Sequence, residues 1–95
     1  MLEKIRERSA IIVAGKGKIS KKLEVFYNPV MKLNRDASVL LLNSVEKDDM
    51  QIALPLAATG IRGIRFLLEL KKSKIKTISF NDKSEEAVKL VKSNL

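Results

Sequence analysis

The stretch LAATGIRGIRF, residues 56–66, is the feature that most constrains the fold of this chain. It overlaps the end of a short apolar run, residues 50–58, of the kind that forms a buried strand. It leads into an apolar-periodic segment over 61–72, which predicts a helix whose inward side is formed by Ile64, Phe66, Leu67 and Leu68. A second strand is predicted at 75–80 and an amphipathic helix at 84–94. This β-α-β-α order predicts the opening of a doubly wound, Rossmann-like α/β sheet.

The residues ahead of this unit are predicted to add one strand and one helix. The apolar, β-branched run at 10–14 indicates a strand that ends at the glycines behind it. A helix is predicted over 37–45, with Asn34 or Asp36 as its N-cap. Because residues 39–42 are all apolar, we expect this helix to be well buried.

Positive charge is concentrated near the N-terminus. Residues 1–35 carry nine Lys and Arg against three Glu, which is +6 of the net charge of +8. Such an asymmetry is typical of proteins that bind RNA or DNA, although lysine-rich surfaces are also common in proteins from hot environments. We expect one domain, with a basic N-terminal segment at 1–36 and the start of the sheet at 37–95.

Composition excludes several kinds of chemistry. The chain has no cysteine and no histidine, so disulfides, thiolate metal sites and Ser–His or Cys–His catalysis cannot be built from it. We predict no metal site. No apolar run approaches the length of a membrane span and the first residues are too charged for a signal peptide, so we expect a cytoplasmic protein that does not bind membranes.

The glycine turn between the first predicted parallel strand and its helix is the candidate ligand site. Gly60 lets the chain turn sharply with its backbone near a ligand, and Gly63 permits close packing of helix against strand. The N-terminus of the helix that follows suits a carboxylate or a phosphate. A glycine turn alone is a weak signal, since many such turns bind nothing.

Asp82, at the end of the second strand, has two possible roles. An acid 22 residues beyond Gly60 can hold both hydroxyls of a ribose. Asp82 and Glu85 also fit a capping box, in which Asp82 would only cap the last helix. Ser84 competes for the capping role, and Asp82 is available to a ligand if Ser84 is the cap.

Two arginines at the start of the predicted helix, Arg62 and Arg65, oppose the helix dipole. This small cost favours a role elsewhere, such as contact with the carboxylate of a cofactor or an RNA phosphate. The alternative is a pair of solvated arginines.

One further stretch, VFYNPVMKLNRD at 25–36, fits neither a core element nor an ordinary loop. Together with ATGIRGIRF and with FND at a strand end, it resembles the archaeal and eukaryotic tRNA (guanine(26)-N2)-dimethyltransferases, which are class I S-adenosylmethionine-dependent enzymes. The resemblance covers residues 8–95. It implies an incomplete class I methyltransferase fold, S-adenosyl-L-methionine as cofactor and tRNA as partner.

The resemblance also implies a set of cofactor-contacting positions. Arg35 would meet the methionine carboxylate, Asp82 would hold the ribose, and residues 25–36 would fold over the cofactor beside the guanine pocket. The positions that match the family are Phe26, Arg35, Ala58, Thr59, Gly60, Arg62 and Asp82.

The chain departs from the family pattern in two places. Leu54 stands where the family usually has an aspartate. The catalytic Asp-Pro motif lies beyond Leu95, so no catalytic residue is expected here. We expect the cofactor-binding N-terminal part of such an enzyme, inactive alone, with the missing C-terminal part in the same or a separate chain. The alternatives are half of a split methyltransferase, a non-catalytic basic RNA-binding or assembly module, and a nicotinamide-dependent oxidoreductase, which would leave FYNP and NRD unexplained.

Overall fold

The computed structural model describes residues 2–15 and 27–95, and its parallel strand pair is the one that the sequence predicts. Strand β3 (Met50–Leu54) pairs in parallel with β4 (Ile75–Phe80). Strand β3 ends at Leu54, four residues short of the predicted run at 50–58, because Pro55 has no N–H to donate to a sheet ladder. Both strands therefore finish at the same edge, with Leu54 opposite Phe80. The expectation that this strand is buried is wrong, since its residues alternate between half-buried and exposed.

An antiparallel hairpin stands at the N-terminus. Strand β1 (Leu2–Glu7) pairs with β2 (Ala10–Gly15) across a two-residue turn, whose first residue, Arg8, has a φ of 51°. Alternate residues of the hairpin are buried: Ile5, Glu7, Ala10, Ile12 and Ala14. The strand at 10–14 is as predicted, whereas β1 was not predicted, because its charged residues interrupt the apolar pattern.

The first helix, α1 (Lys32–Ser44), starts five residues earlier than predicted and has no side-chain cap. Asn34 and Asp36 lie inside it rather than at its N-cap. The expectation that its apolar residues are well buried is wrong: Val39 is buried, but Leu40 and Leu41 are 71% and 63% exposed. Four consecutive apolar residues point to different sides of a helix, and only one side of α1 packs against the described residues.

The second helix, α2 (Ile61–Glu69), is the central element. Ile61 and Ile64 pack with the hairpin in one apolar cluster, and Phe66 packs with α1 and the parallel strands in another. Ile64 and Phe66 therefore face inward as predicted. Leu67 and Leu68 do not, since both are more than half exposed.

The last helix, α3 (Glu85–Asn94), begins with a side-chain cap. The Ser84 hydroxyl accepts a hydrogen bond from the Ala87 N–H, so Ser84 and not Asp82 is the N-cap. At the other end, the Asn94 side chain accepts from the Val13 N–H (2.8 Å) and donates to the carbonyls of Val13 and Thr59 (3.0 Å each). Asn94 thus joins the hairpin edge to the glycine turn.

No helix in the described part of the chain is long and apolar enough to cross a membrane.

Candidate ligand site

The candidate site lies outside the carboxyl ends of β3 and β4, where open α/β sheets bind ligands. The chain turns there through residues 55–60 and enters α2 at Gly60, whose φ of 84° is in the left-handed region that glycine adopts without steric cost. The Gly60 N–H donates to the Ala57 carbonyl at 2.8 Å. A helix leaves the N–H groups of its first turn without helical partners, and here the Ile61 N–H donates to the Thr59 hydroxyl at 3.2 Å.

Gly63 has a packing role, as predicted. A Cβ atom at this position would lie 2.5 Å from Phe80 Cζ and 2.6 Å from Leu54 Cδ1. Only glycine lets α2 come this close to the ends of both strands. Leu54, where the resemblance implies an aspartate, therefore packs against the helix.

The glycine turn is held by Asp82. Ala58 has a φ of 49°, which a residue with a side chain rarely adopts. Its N–H donates to Asp82 Oδ2 (2.9 Å), and Asp82 Oδ1 accepts from the Ser84 N–H (3.0 Å). Each oxygen has one backbone partner and retains a further lone pair, so the carboxylate can still accept hydrogen bonds from a ligand.

Two cavities flank this turn. The first, of about 320 Å³, contains four of the predicted site residues and is lined by Tyr27, Asn28, Arg35, Leu54, Pro55, Leu56, Ala57, Ala58, Thr59, Ile61 and Arg62. The second, of about 230 Å³, contains Asp82 together with Phe80, Asn81 and Val88. Ala57 lines both, so the two cavities adjoin.

Arg62 brings a positive charge to the first cavity without an acidic partner among the described residues. Its guanidinium donates to the Asn34 side-chain oxygen and the Ser38 hydroxyl, each at 2.6 Å. Burial, and then the nearby Arg35 guanidinium, lower the pKa of Arg62. Two neutral acceptors thus orient a cation whose charge remains available to an anionic ligand.

Arg35 lines the same cavity, but its charge is already compensated. It donates to both oxygens of Glu7, at 2.6 and 2.8 Å, and to the Asn28 carbonyl at 2.9 Å. Its guanidinium also lies 5.0 Å from the centre of the Tyr27 ring, within the range of a cation–π contact. Arg35 is 5% exposed, so it forms the wall of the cavity as part of a fixed ion pair.

Arg65 does not reach the cavity. It is 2% exposed and contacts three carboxylates: Glu7 (2.9 Å), Asp36 (2.8 Å) and Glu69 (2.7 Å). Both earlier interpretations of Arg65, a ligand contact and a solvated arginine, are therefore wrong. Its role is to join the hairpin, α1 and α2.

Glu7 is the site residue that sequence reasoning missed. Its side chain is fully buried and accepts from Arg35, Arg65 and the Tyr27 hydroxyl, the last at 2.5 Å. Burial by itself raises the pKa of Glu7, but the hydrogen bonds from Arg35 and Tyr27 outweigh it and the pKa is lowered. The signal in the sequence was weak: Glu7 lies two residues after Ile5, so in a strand both side chains face the same side, but a glutamate on that side does not by itself indicate burial.

The predicted site residues that the structure describes come together around one turn. Arg35, Ala58, Thr59 and Arg62 line the first cavity, Gly60 is buried in the same turn, and Asp82 lines the adjoining cavity. Phe26 lies outside the described residues. Within those residues, no cluster of three or more potential ligands could hold a metal ion.

Comparison with known proteins gives a consistent assignment. The sequence matches the profile of the N2,N2-dimethylguanosine tRNA methyltransferase family over residues 4–95. The tRNA (guanine(26)-N(2))-dimethyltransferase of Pyrococcus abyssi is 44% identical over 94 residues, which are 99% of this chain and 24% of that protein. The protein of the same name from Methanococcus maripaludis is 40% identical over 89 residues, 90% of this chain and 24% of that protein. The chain spans about a quarter of the length of these relatives.

A solved structure, described as the complex of Trm1 from Pyrococcus horikoshii with S-adenosyl-L-methionine, is also similar. It is 42% identical, with a TM-score of 0.81, and the match covers 98% of this chain and 23% of that chain. The similarity confirms the predicted fold, an incomplete Rossmann-like α/β domain that begins with a short β segment and a helix.

Proposed function

Because the chain belongs to the N2,N2-dimethylguanosine tRNA methyltransferase family, we propose that it forms the cofactor-binding part of an enzyme that methylates N2 of guanine 26 in tRNA. The proposed cofactor is S-adenosyl-L-methionine. The observation that carries the proposal is Arg62, a partly buried cation that lines a cavity at the start of α2 and is held by two neutral acceptors.

The groups around the turn suit the two ends of this cofactor. Arg62 and the N-terminus of α2 favour an anionic group, as the carboxylate of the amino-acid part would be. Asp82 retains lone pairs that would accept from ribose hydroxyls, and the adjoining cavity is largely apolar. When bound, the cofactor would supply the methyl group from its sulfonium.

The residues Arg35, Ala58, Thr59 and Gly60 are proposed to shape the pocket, with Phe26 beside them. The resemblance implies that Arg35 meets the methionine carboxylate, and its ion pair with Glu7 would fix the guanidinium in the wall of the pocket. Ala58 and Gly60 hold the left-handed turn that brings the backbone close to the ligand.

The chemical step needs a group that accepts the proton leaving the guanine amine. The carboxylates at the site have other roles: Glu7 is fully buried between two arginines, and Asp82, which holds the turn, is assigned to the ribose. We therefore propose that the acceptor comes from an Asp-Pro motif outside these 95 residues. The basic N-terminal third is proposed to favour tRNA binding, and the cytoplasm stays the predicted compartment.

Binding of S-adenosyl-L-methionine tests the proposal. Isothermal titration on the protein at its natural length would compare the wild type with Arg62→Gln, and with Arg6→Gln, which removes the same charge from the exposed face of β1. Loss of a hydrogen bond to a charged group costs about 1.5–3 kcal/mol, so the dissociation constant should rise about 10- to 100-fold for Arg62→Gln only. An unchanged constant would exclude Arg62 as the carboxylate contact.

The same protein also distinguishes the alternative functions. Methylation of a tRNA with guanine at position 26, and not of one with adenine there, supports the proposed enzyme. A protein that binds tRNA but does not bind S-adenosyl-L-methionine would favour the non-catalytic RNA-binding module. Binding of NAD in place of S-adenosyl-L-methionine would favour the oxidoreductase.

A further inference from the structure

The first cavity has two arginines in its wall, and only one of them is neutralised. Arg62 binds neutral partners, whereas Arg35 is held by both carboxylate oxygens of Glu7. The side chain of Glu7 has 0% of its surface exposed. A ligand in the cavity therefore cannot touch Glu7, and would meet its charge only through Arg35.

The number of uncompensated arginines in the cavity wall affects the binding of a ligand that carries a positive charge on one of its atoms. S-adenosyl-L-methionine carries a sulfonium, whereas S-adenosyl-L-homocysteine, the product of methyl transfer, has a neutral sulfur and otherwise the same groups. A sphere with the cavity's volume of about 320 Å³ is on the order of 10 Å in diameter, which sets the scale for charge–charge separations inside it. Across that distance, at an effective dielectric constant near 20, one unit charge alters the affinity for another by about tenfold.

We infer that Glu7 sets the ratio of the site's affinities for the methyl donor and for its demethylated product. Its buried carboxylate cancels the Arg35 charge, so that the cavity holds one uncompensated cation for the ligand carboxylate and no second one to repel the sulfonium. The inference rests on the proposed function. Glu7 acts through Arg35, so it is a positioning residue and not a catalytic one.

The ratio of two dissociation constants tests this inference. The wild type and Glu7→Gln, both at the protein's natural length, are each titrated calorimetrically with S-adenosyl-L-methionine and with S-adenosyl-L-homocysteine. The ratio is the dissociation constant of the donor divided by that of the product. We expect the ratio to increase about tenfold in Glu7→Gln. If Glu7 had a purely structural role, Glu7→Gln would weaken the binding of both ligands equally and leave the ratio unchanged. That result would overturn the inference.

Glu69→Gln is the matched control. It removes one negative charge from the same network, because Glu69 binds Arg65 at 2.7 and 3.0 Å, but Glu69 makes no contact with Arg35 among the described hydrogen bonds. Its ratio should stay within about twofold of the wild type. A tenfold change in Glu69→Gln as well would mean that the charge of the whole network, and not the Glu7–Arg35 pair, sets the preference.

Arg35→Gln covers the case in which Glu7→Gln does not fold. It removes a positive charge from the cavity wall and leaves Glu7 paired with Arg65, so the ratio should fall about tenfold. No change, or a rise, would contradict the inference. If the wild type binds neither ligand, the proposed function itself is wrong. If the wild type binds both and the ratio never moves, only the role of Glu7 is wrong.

Discussion

Asp82 Oδ2 accepts a hydrogen bond from the Ala58 N–H at 2.9 Å, and this bond ties the end of β4 to the strained turn behind β3. The two residues are 24 positions apart in the sequence. The carboxylate that the family resemblance assigns to the ribose is therefore also the group that stabilises the left-handed conformation of Ala58. A ligand role and a structural role coincide in one side chain.

Substitution of Asp82 separates these roles. Asp82→Ala should weaken binding of S-adenosyl-L-methionine by roughly 1–3 kcal/mol, through loss of charged hydrogen bonds, and should lower the melting temperature because the Ala58 N–H loses its acceptor. Asp82→Asn keeps an oxygen for that N–H, so it should recover part of the stability. Glu46→Ala, at an exposed position, is the control. If the melting temperature falls while affinity is unchanged, Asp82 serves the fold only.

Gly63→Ala should destabilise the protein even though alanine is the better helix former. Helix propensity favours alanine by about 1 kcal/mol. Against this, the new methyl group would lie 2.5 Å from Phe80 Cζ, and overpacking of this kind costs about 1–3 kcal/mol. Urea unfolding should therefore show a net loss of stability, whereas Leu68→Ala, at an exposed position of the same helix, should change little. A more stable Gly63→Ala would mean that α2 can move away from the strands.

Loss of Arg65 should affect the fold far more than the ligand site. Arg65→Ala leaves three carboxylates without one of their partners, and breaking a buried ion pair in this way costs about 3–5 kcal/mol. Arg65→Lys keeps the charge but not the paired contact with Glu69, so it should recover only part of this loss. The free energy of unfolding measures both, with the exposed Lys71→Ala as reference. A loss below about 1 kcal/mol in Arg65→Ala would contradict the central role of this residue.

Acid should weaken the fold through Glu7. Because the folded protein lowers the pKa of Glu7 below the ordinary value of 4.5, the stabilisation is fully present above about pH 4.5 and is lost as the pH falls towards the lowered value. Asp36, whose pKa is lowered by Arg8 and Lys32, contributes in the same direction. The urea midpoint of the wild type should drop between pH 5 and pH 3. The midpoint should drop less steeply in Glu7→Gln. An equal slope in both proteins would show that Glu7 is not a source of the loss of stability in acid.

Local patterns in the sequence were enough to predict the parallel strands and the glycine turn, whereas they left the cap of α3 open between Asp82 and Ser84. The strands and the turn depend on residues that are close in the chain: two short apolar runs form the strands, and Gly60 begins the turn into α2. The early start of α1 was missed because the helix continues directly from a 3-10 turn at Pro29–Met31, whose N-terminus is capped by the Asn28 side chain.

The ion network could not be predicted in the same way. Glu7, Arg35 and Arg65 are separated by 28 and 30 positions, and nothing local shows that three charged side chains share one buried volume. An arginine on a helix is normally assigned to solvent or to a ligand, and only the packing of the hairpin over α2 reveals that Arg65 is inside. For the same reason the exposure of Leu67 and Leu68 was not foreseen.

The hydrogen bonds between the Asn94 side chain and the Val13 backbone have a consequence for folding during synthesis. The two residues are 81 positions apart, so β2 leaves the ribosome long before its outer edge can be paired. Until Asn94 emerges, the Val13 N–H and carbonyl are an open strand edge, which other chains can pair with. The hairpin whose Glu7 fixes Arg35 in the cavity wall therefore gains the partner of its outer edge only when the last turn of α3 has been made.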